Sequence, residues 1–361
     1  MTPDREKVLE FLGTINDPDM NKDIVSLNFV ENLVLSDDSI SLTVSISNPA
    51  LHARRKLHDA INNGLKERFT DAVIDLTIKA LPAEAKKTRR RVLPNVKNVI
   101  AVASGKGGVG KSTVTANLAG GLIKRGFTVG IIDADIYGPS MPTMFDVVGE
   151  RPYMVDIEGK SLIQPVKTKY GIDLLSIGFF TEQDNAVVWR GPMASKALTQ
   201  MITDAHWGDL DYVLIDLPPG TGDIHLSLVQ TAPLDAAVIV STPQEVALAD
   251  ARKGINMFRL DSINVPIAGI VENMSWFTPE ELPDNKYYIF GRDGAKNLAL
   301  GSDIPFLGHL PLIQSIREAG DAGCPAVFQE NSLLLSYIDD MVDKLIESVK
   351  ECKESKKAQH A

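Results

Sequence analysis

The sequence predicts an α/β fold: a mostly parallel sheet with helices on both faces, preceded by a small α+β domain. Three observations carry that reading. From residue 99 onward short, continuous apolar runs alternate with amphipathic stretches, the pattern of strands covered on both faces. Before residue 82 apolar and polar residues alternate within two runs, as in strands with one wet face. Between them lie Pro82 to Glu84 and then Lys86-Lys87-Thr88-Arg89-Arg90-Arg91, a charged stretch with the character of a solvated linker. The expected division is therefore 1–82, a linker over 83–98, and 99–361, in keeping with a prior of roughly 150 residues per domain.

Taken in chain order, Val8, Leu9, Phe11 and Leu12 recur at helical spacing and predict a helix over Arg5 to Thr14. Leu27 to Leu35 and Ile40 to Ile46 predict two strands joined by the polar turn Ser36-Asp37-Asp38-Ser39. A helix from Ala50 to Phe69 and a strand through Val73 to Ile78 complete the small domain. Beyond the linker, buried strands are expected at Val99–Ala103, Val129–Ile132, Val213–Ile215, Ala237–Val240, Ile267–Val271 and Phe306–Leu310. A helix over Thr115 to Lys124 follows the first of them. Near the end, Leu333, Leu334, Tyr337, Ile338, Met341, Leu345, Ile346 and Val349 form an apolar stripe, with Asp339, Asp340, Asp343 and Glu347 at the remaining positions. A membrane-surface helix favours a basic polar face, so this helix is expected to pack on its own domain.

Composition excludes several classes. Hydrophobic residues at 44% and charged residues at 23% are ordinary globular usage. Lys plus Arg number 37 against 47 Asp plus Glu, and a net charge of −10 opposes the phosphate neutralisation on which nucleic-acid binding runs. No apolar stretch reaches the ~18 residues of a membrane span. The opening residues lack the basic-then-apolar layout of a signal peptide, and two cysteines, Cys324 and Cys352, build no disulfide framework. The expectation is a cytoplasmic protein without nucleic-acid or membrane partners.

The chemistry begins where the first buried strand ends. Gly105-Lys106-Gly107-Gly108-Val109-Gly110-Lys111-Ser112-Thr113 fits G-x-x-x-x-G-K-[ST] between a strand and a helix, the P-loop arrangement. Glycines there let backbone N–H groups converge on phosphate oxygens, and the helix N-terminus adds positive potential. Lys111 is expected at the β- and γ-phosphates of ATP, and Ser112 on Mg²⁺. Two further strands end in acidic blocks, Asp133-Ala134-Asp135 and Asp216-Leu217-Pro218-Pro219-Gly220-Thr221-Gly222-Asp223. Carboxylates at the C-terminal ends of parallel strands point into the ligand crevice. Asp216 is the candidate Walker B group holding Mg²⁺ through water. Asp135 is the candidate for orienting the attacking water, Asp133 for supporting Lys111 or the metal shell, and Gly220 for an N–H to the γ-phosphate. Six scattered histidines receive no role.

The early Lys106 makes the loop resemble the deviant Walker A of the MinD/ParA/ArsA/nitrogenase-iron-protein ATPases. That resemblance implies a homodimer in which Lys106 reaches the partner's phosphates and acts in catalysis alongside Lys111 and Asp135. Further blocks are more specific: Asp135-Ile136-Tyr137-Gly138-Pro139-Ser140, the Asp216 block, Val271-Glu272-Asn273-Met274-Ser275 and Tyr288-Ile289-Phe290-Gly291. With Ile15-Asn16-Asp17-Pro18-Asp19 and Ile24-Val25-Ser26-Leu27 in the N-terminal module, nearly the whole chain resembles the Mrp/ApbC family of iron–sulfur cluster carrier ATPases. The resemblance implies a Mg-dependent ATPase serving cluster assembly and client proteins, with Asn273 on the adenine and a loop at Pro311 flanking it.

One departure stands out. The family's Cys-x-x-Cys after the Glu-Asn-Met-Ser block is replaced by Trp276-Phe277-Thr278-Pro279-Glu280-Glu281-Leu282-Pro283, and Ser47-Asn48-Pro49 stands where some relatives carry a cysteine. Cys324 before Pro325 and Cys352 in a charged tail read as incidental thiols, and Glu280 and Glu281 are poor substitutes for thiolates. Ligands for an iron–sulfur cluster are therefore not evident. The alternative reading is a MinD/ParA-like positioning ATPase acting on membrane or DNA. A third reading, an ATP-dependent metabolic enzyme, lacks a Cys/His or Ser/His constellation.

Overall fold

The computed structural model describes residues 3–17, 22–36, 38–46, 51–80, 92–180, 191–279, 281–282, 284–330 and 334–359. The basic run Lys86 to Arg91, Ser47-Asn48-Pro49, Pro18, Asp19, Asp37, Ala50, Glu280, Pro283 and Leu333 lie outside the described residues. The chain forms two compact units, Met1–Arg90 and Arg91–Ala361.

In the first unit, α1 (Arg5–Leu12) starts where the Asp4 carboxylate accepts the Glu6 N–H at 3.1 Å, an N-cap. Strands β1 (Val30–Leu35) and β2 (Ser39–Ile46) pair antiparallel, and helix α2 (Leu51–Arg68) crosses over to β3 (Val73–Ala80), parallel to β2. Val8 and Leu12 of α1 and Ile61 and Leu65 of α2 are buried with Ile40, Leu42, Val44 and Ile46 of β2. The first strand begins at Val30, not Leu27. Residues 23–29 instead form turns, with Asn28 at φ 56, a conformation Asn tolerates through its short polar side chain.

The second unit runs β4 (Val96–Ala103), α3 (Lys111–Lys124), β5 (Val129–Asp133) and the short α4 (Met141–Met144). The hairpin β6 (Tyr153–Ile157) and β7 (Lys160–Gln164), then β8 (Val166–Lys167), β9 (Asp173–Ser176) and α5 (Gly191–Thr203) follow. Next come β10 (Leu210–Asp216), α6 (Asp223–Thr231), β11 (Ala236–Ser241) and α7 (Glu245–Phe258). The remainder is β12 (Ile267–Phe277), α8 (Gly294–Gly301), β13 (Phe306–Leu312), α9 (Gln314–Asp321) and α10 (Leu335–Gln359). The main sheet has the order β13-β12-β11-β4-β10-β5-β9-β8, parallel except for β8. Within β4 the side chains alternate between the two faces. Val99, Ala101 and Ala103 enter the layer formed with α5 to α8, while Ile100 and Val102 enter the layer with α3 and α10.

Several boundaries depart from expectation. Strand β4 starts at Val96, inside the expected linker, because Lys97 reaches Asp211 at 2.8 Å and Asn98 bonds the Asp211 carbonyl at 2.9 Å, polar anchors that an apolar count misses. Strand β12 continues through the Glu-Asn-Met-Ser block, and Pro311 is buried within β13, not in a loop. The apolar stripe of α10 is buried at Leu334, Ile338, Met341, Leu345 and Val349, and Gly121 lets α3 approach so closely that a Cβ there would lie 2.6 Å from Val342. Cys352 is half-buried inside α10 and not in a solvated tail, since Lys353 and Lys356 tie that helix to Asn98 Oδ1 and the Leu234 carbonyl at 3.0 and 2.8 Å. Among the described residues no helix is long and apolar enough to cross a membrane.

Candidate nucleotide site

The order of the main sheet places β4 between β10 and β11, so the loop after β4 opens into the crevice at the carboxyl ends of the strands. Register does the rest: Asp216 pairs with Asp133 across β10 and β5, and with Val102 across β10 and β4. The sequence thereby delivers two carboxylates and the phosphate loop to one place.

Glycine is required in the loop for two different reasons. A Cβ on Gly105 would lie 2.1 Å from the Asp250 carbonyl carbon of α7, so helix backbone excludes any side chain. Gly110 sits at φ +79 directly over Asn273, whose Nδ2 would meet a Cβ at 2.1 Å. Gly108, also left-handed at φ +80, has open space on its Cβ side, and Gly107 meets only Pro219 at 3.9 Å. Lys106 is exposed, and Val109 is buried. Thr113 is half-buried in α3, its carbonyl accepting Asn117 Nδ2 at 2.8 Å. The open side next to Gly107 and Gly108 is a cradle of the kind a phosphate needs.

Behind the loop, Lys111 is buried, with its Nζ 2.8 Å from Asp216 Oδ2 and 3.6 Å from Asp135 Oδ2. Asp216 is fully buried and also accepts the Ser112 hydroxyl at 2.6 Å and the Thr115 hydroxyl at 2.8 Å. A Mg²⁺ ion with ~2.1 Å bonds holds neighbouring oxygens about 3.0 Å apart, and the hard oxygens of Ser112 and Asp216, now 2.6 Å apart in a hydrogen bond, suit Mg²⁺ directly at Ser112 and through water at Asp216. The motif does not single out Thr115. Its position one turn after Lys111, on the same helix face, is the signal that marks it.

Three of the expected site residues make contacts within the protein. The Gly220 N–H donates to the Ser104 carbonyl at 3.0 Å and so braces the phosphate loop. Asn273 Nδ2 donates to the Val109 carbonyl at 2.9 Å; its amide props the loop from below. Asp133 makes no ion pair with Lys111 among the described residues. It accepts from Ser176 Oγ at 2.8 Å, Met141 N at 3.2 Å and Asp135 N at 3.3 Å, shaping the turn that carries Asp135. Burial pushes the Asp133 carboxyl up to about 7, helped by the charge of Asp216 and opposed by Ser176 and Lys111.

His225 of α6 likewise has no signal in the sequence. It is 2% exposed, both ring nitrogens are buried without a hydrogen-bond partner among the described residues, and burial with the charge of Lys111 drives its pKa down to about 4. The imidazole is neutral at physiological pH.

Comparison with known proteins agrees with this geometry. The family described as NUBPL iron-transfer P-loop NTPase matches residues 95–349, and the family described as iron-sulfur cluster assembly protein matches residues 5–73. The chain is similar to proteins named iron-sulfur cluster carrier protein. That of Synechocystis is 39% identical over 90% of this chain and 92% of the relative, and that of Helicobacter pylori 38% over 98% and 95%. That of Escherichia coli K12 is 40% identical over 90% and 86%. Among solved structures, the nucleotide-binding protein of Archaeoglobus fulgidus in complex with ADP, described as containing Co, is 37% identical with a TM-score of 0.57, covering 66% of this chain and 92% of that one. The Pyrococcus furiosus cell division ATPase MinD shares the fold, at 21% identity and a TM-score of 0.50 over 70% of this chain and 99% of that one.

Proposed function

This chain belongs to the family of iron-transfer P-loop NTPases, and from that membership and the geometry behind the loop we propose that it binds and hydrolyses Mg-ATP to assist iron–sulfur cluster assembly and transfer. The carrying observation is the constellation of Lys111, Ser112, Thr115 and Asp216, buried but for the half-buried Ser112, beneath a loop with open space beside Gly108. Ser112 and Asp216 would hold Mg²⁺, which when bound neutralises charge on the β- and γ-phosphates. Lys111 exchanges its carboxylate partner for those phosphates. Asp135, held by Asp133 and 3.6 Å from Lys111, orients the attacking water. The exposed Lys106 acts across a homodimer. The site of work is the cytoplasm, in keeping with two free cysteines.

The cluster is cargo here, and the chain is short of thiolates to hold it. Cys324 and Cys352 are its only cysteines, and burial pushes the Cys352 thiol up, away from the thiolate form that binds iron. The role is therefore ATP-driven scaffolding, with client or assembly partners supplying ligands. Lys111→Ala should abolish ATP hydrolysis and ATP-stimulated cluster transfer to an apoprotein while the fold persists. Unchanged turnover in folded Lys111→Ala would refute this placement of the site. Anaerobic reconstitution should leave the parent and Cys324→Ser/Cys352→Ser proteins equally poor in iron. A stoichiometric cluster lost only in the double variant would overturn the scaffolding role.

A further inference from the structure

Helix α6 begins at Asp223, directly after the loop that leads away from Asp216. That loop lies against the phosphate loop: the Gly220 N–H meets the Ser104 carbonyl, and Pro219 lies 3.9 Å from where a Cβ on Gly107 would stand. His225 stands in the first turn of α6, one turn before Leu228 and Val229. It therefore shares the inward face that those residues press into the layer with α5. A helical side chain leans back over the preceding turn, which carries the imidazole toward Gly222 and Thr221, the last residues of the loop. Lys111 is near enough for its charge to oppose protonation of the ring.

Packing does not call for an imidazole here. Leu228 and Val229 fill the same face with hydrocarbon, and at 2% exposure a leucine would bury apolar surface without stranding a polar atom. Instead both ring nitrogens are buried with no hydrogen-bond partner among the described residues. The neutral ring offers one N–H donor and one acceptor. Buried polar groups are nearly always paired, and orphaning one costs about as much as losing a hydrogen bond. A fold that carries this cost beside its phosphate loop points to a second arrangement in which the ring is paired. Thr221 and Gly222 are exposed, so packing does not hold that end of the loop where it is.

We infer that His225 is a positioning residue for ATP hydrolysis: in the nucleotide-loaded protein its imidazole hydrogen-bonds the Thr221–Gly222 end of the loop and holds that loop against the phosphates. The inference rests on the ATPase reading above, and it gives His225 no contact with the substrate itself. Lys111 supplies the link to nucleotide. As its ammonium leaves Asp216 for the phosphates, the charge and space beside the ring change, and the orphaned nitrogens gain by pairing with the loop. Nucleotide thus relieves a cost that the empty protein bears. An apolar residue of similar bulk would do the reverse, comfortable in the empty protein and unable to brace the loop in the loaded one.

The test compares His225→Leu, which keeps bulk and removes both nitrogens, with His225→Gln, which keeps a donor and an acceptor. Both are made in the full chain and assayed at about pH 8, where the ring is neutral. Without nucleotide, His225→Leu should resist urea at least as well as the parent, because an apolar replacement leaves no orphan behind. Its kcat for ATP should nevertheless fall at least about tenfold with KM little changed, tenfold being ~1.4 kcal/mol, the scale of one hydrogen bond. His225→Gln should recover most of the lost turnover. Parent-like kcat in His225→Leu, a nucleotide-free His225→Leu less stable than the parent, or equal losses in the two variants would each overturn the assignment. Absence of turnover in the parent, measured against Lys111→Ala as the blank, would refute the ATPase reading and take this inference with it.

Discussion

Removing Lys111 in the absence of nucleotide should destabilise the protein, and removing the charge of Asp216 as well should restore part of the loss. The pair is 2.8 Å apart with both groups buried, a gross attraction of about 6 kcal/mol at an effective dielectric constant of 20. Much of that offsets desolvation, and breaking such a pair from one side costs ~3–5 kcal/mol because the survivor is left uncompensated. Asp216 keeps the Ser112 and Thr115 hydroxyls, which sets Lys111→Met near the lower end, about 3 kcal/mol. In the double variant Lys111→Met/Asp216→Asn the orphaned charge is gone, and rotating hydroxyls can pair with an amide. Roughly 1–2 kcal/mol should return. The assay is urea unfolding in EDTA followed by tryptophan fluorescence. Trp189, Trp207 and Trp276 all lie in the second unit, so the signal reports that unit by itself. A double variant no more stable than Lys111→Met would refute the view that an uncompensated Asp216 carries the cost.

Lys106→Ala should suppress ATP turnover while leaving nucleotide affinity nearly intact, and mixing it with Lys111→Ala should yield heterodimers that test the crossing; turnover at the parent rate ends the trans role. Asn273→Ala removes the strut under Val109 and should weaken nucleotide binding about tenfold, since ~1.4 kcal/mol is the scale of one buried hydrogen bond with its partner left unpaired; calorimetric titration with ADP would show it. His225 has its pKa lowered to about 4 against an unfolded value near 6.5, so the unfolded chain binds the proton more readily. Its contribution is full above pH 6.5 and is lost as pH falls toward 4, about 3 kcal/mol in all. Wild type should lose stability relative to His225→Leu as pH falls across that window, and a constant difference would show that His225 does not titrate there.

Features written into a few adjacent residues are legible in the sequence alone. Gly105 to Thr113 encodes its own backbone geometry, and a strand ending in Asp216 announces a carboxylate in the crevice. What stays hidden depends on residues far apart in the chain. Thr115 meets Asp216 across 101 residues, and Asn273 meets Val109 across 164, so no local pattern distinguishes a strut from an adenine contact. Gly220 reads as a phosphate donor because its block follows Asp216; only the fold reveals that its N–H meets Ser104. The hairpin of β6 and β7 escapes notice for another reason. Tyr153, Met154, Asp156, Ile157, Lys160 and Ser161 are exposed, so no buried face leaves a period-2 signature. Cys352 is misread because its lysine-rich setting resembles solvent-facing sequence, whereas those lysines reach polar groups elsewhere in the same unit.

The borders of the main sheet constrain how copies of this chain can meet. One border is β13, where Pro311 has no N–H to offer a new neighbour, and the other is β8, two residues long and running against the rest. Proline and brevity are how sheets refuse further strands. Growth by edge-to-edge pairing is thus disfavoured at both borders. In the proposed homodimer the mouth of the crevice, where Lys106 stands exposed, would be the meeting place, so that association and nucleotide chemistry would share one face.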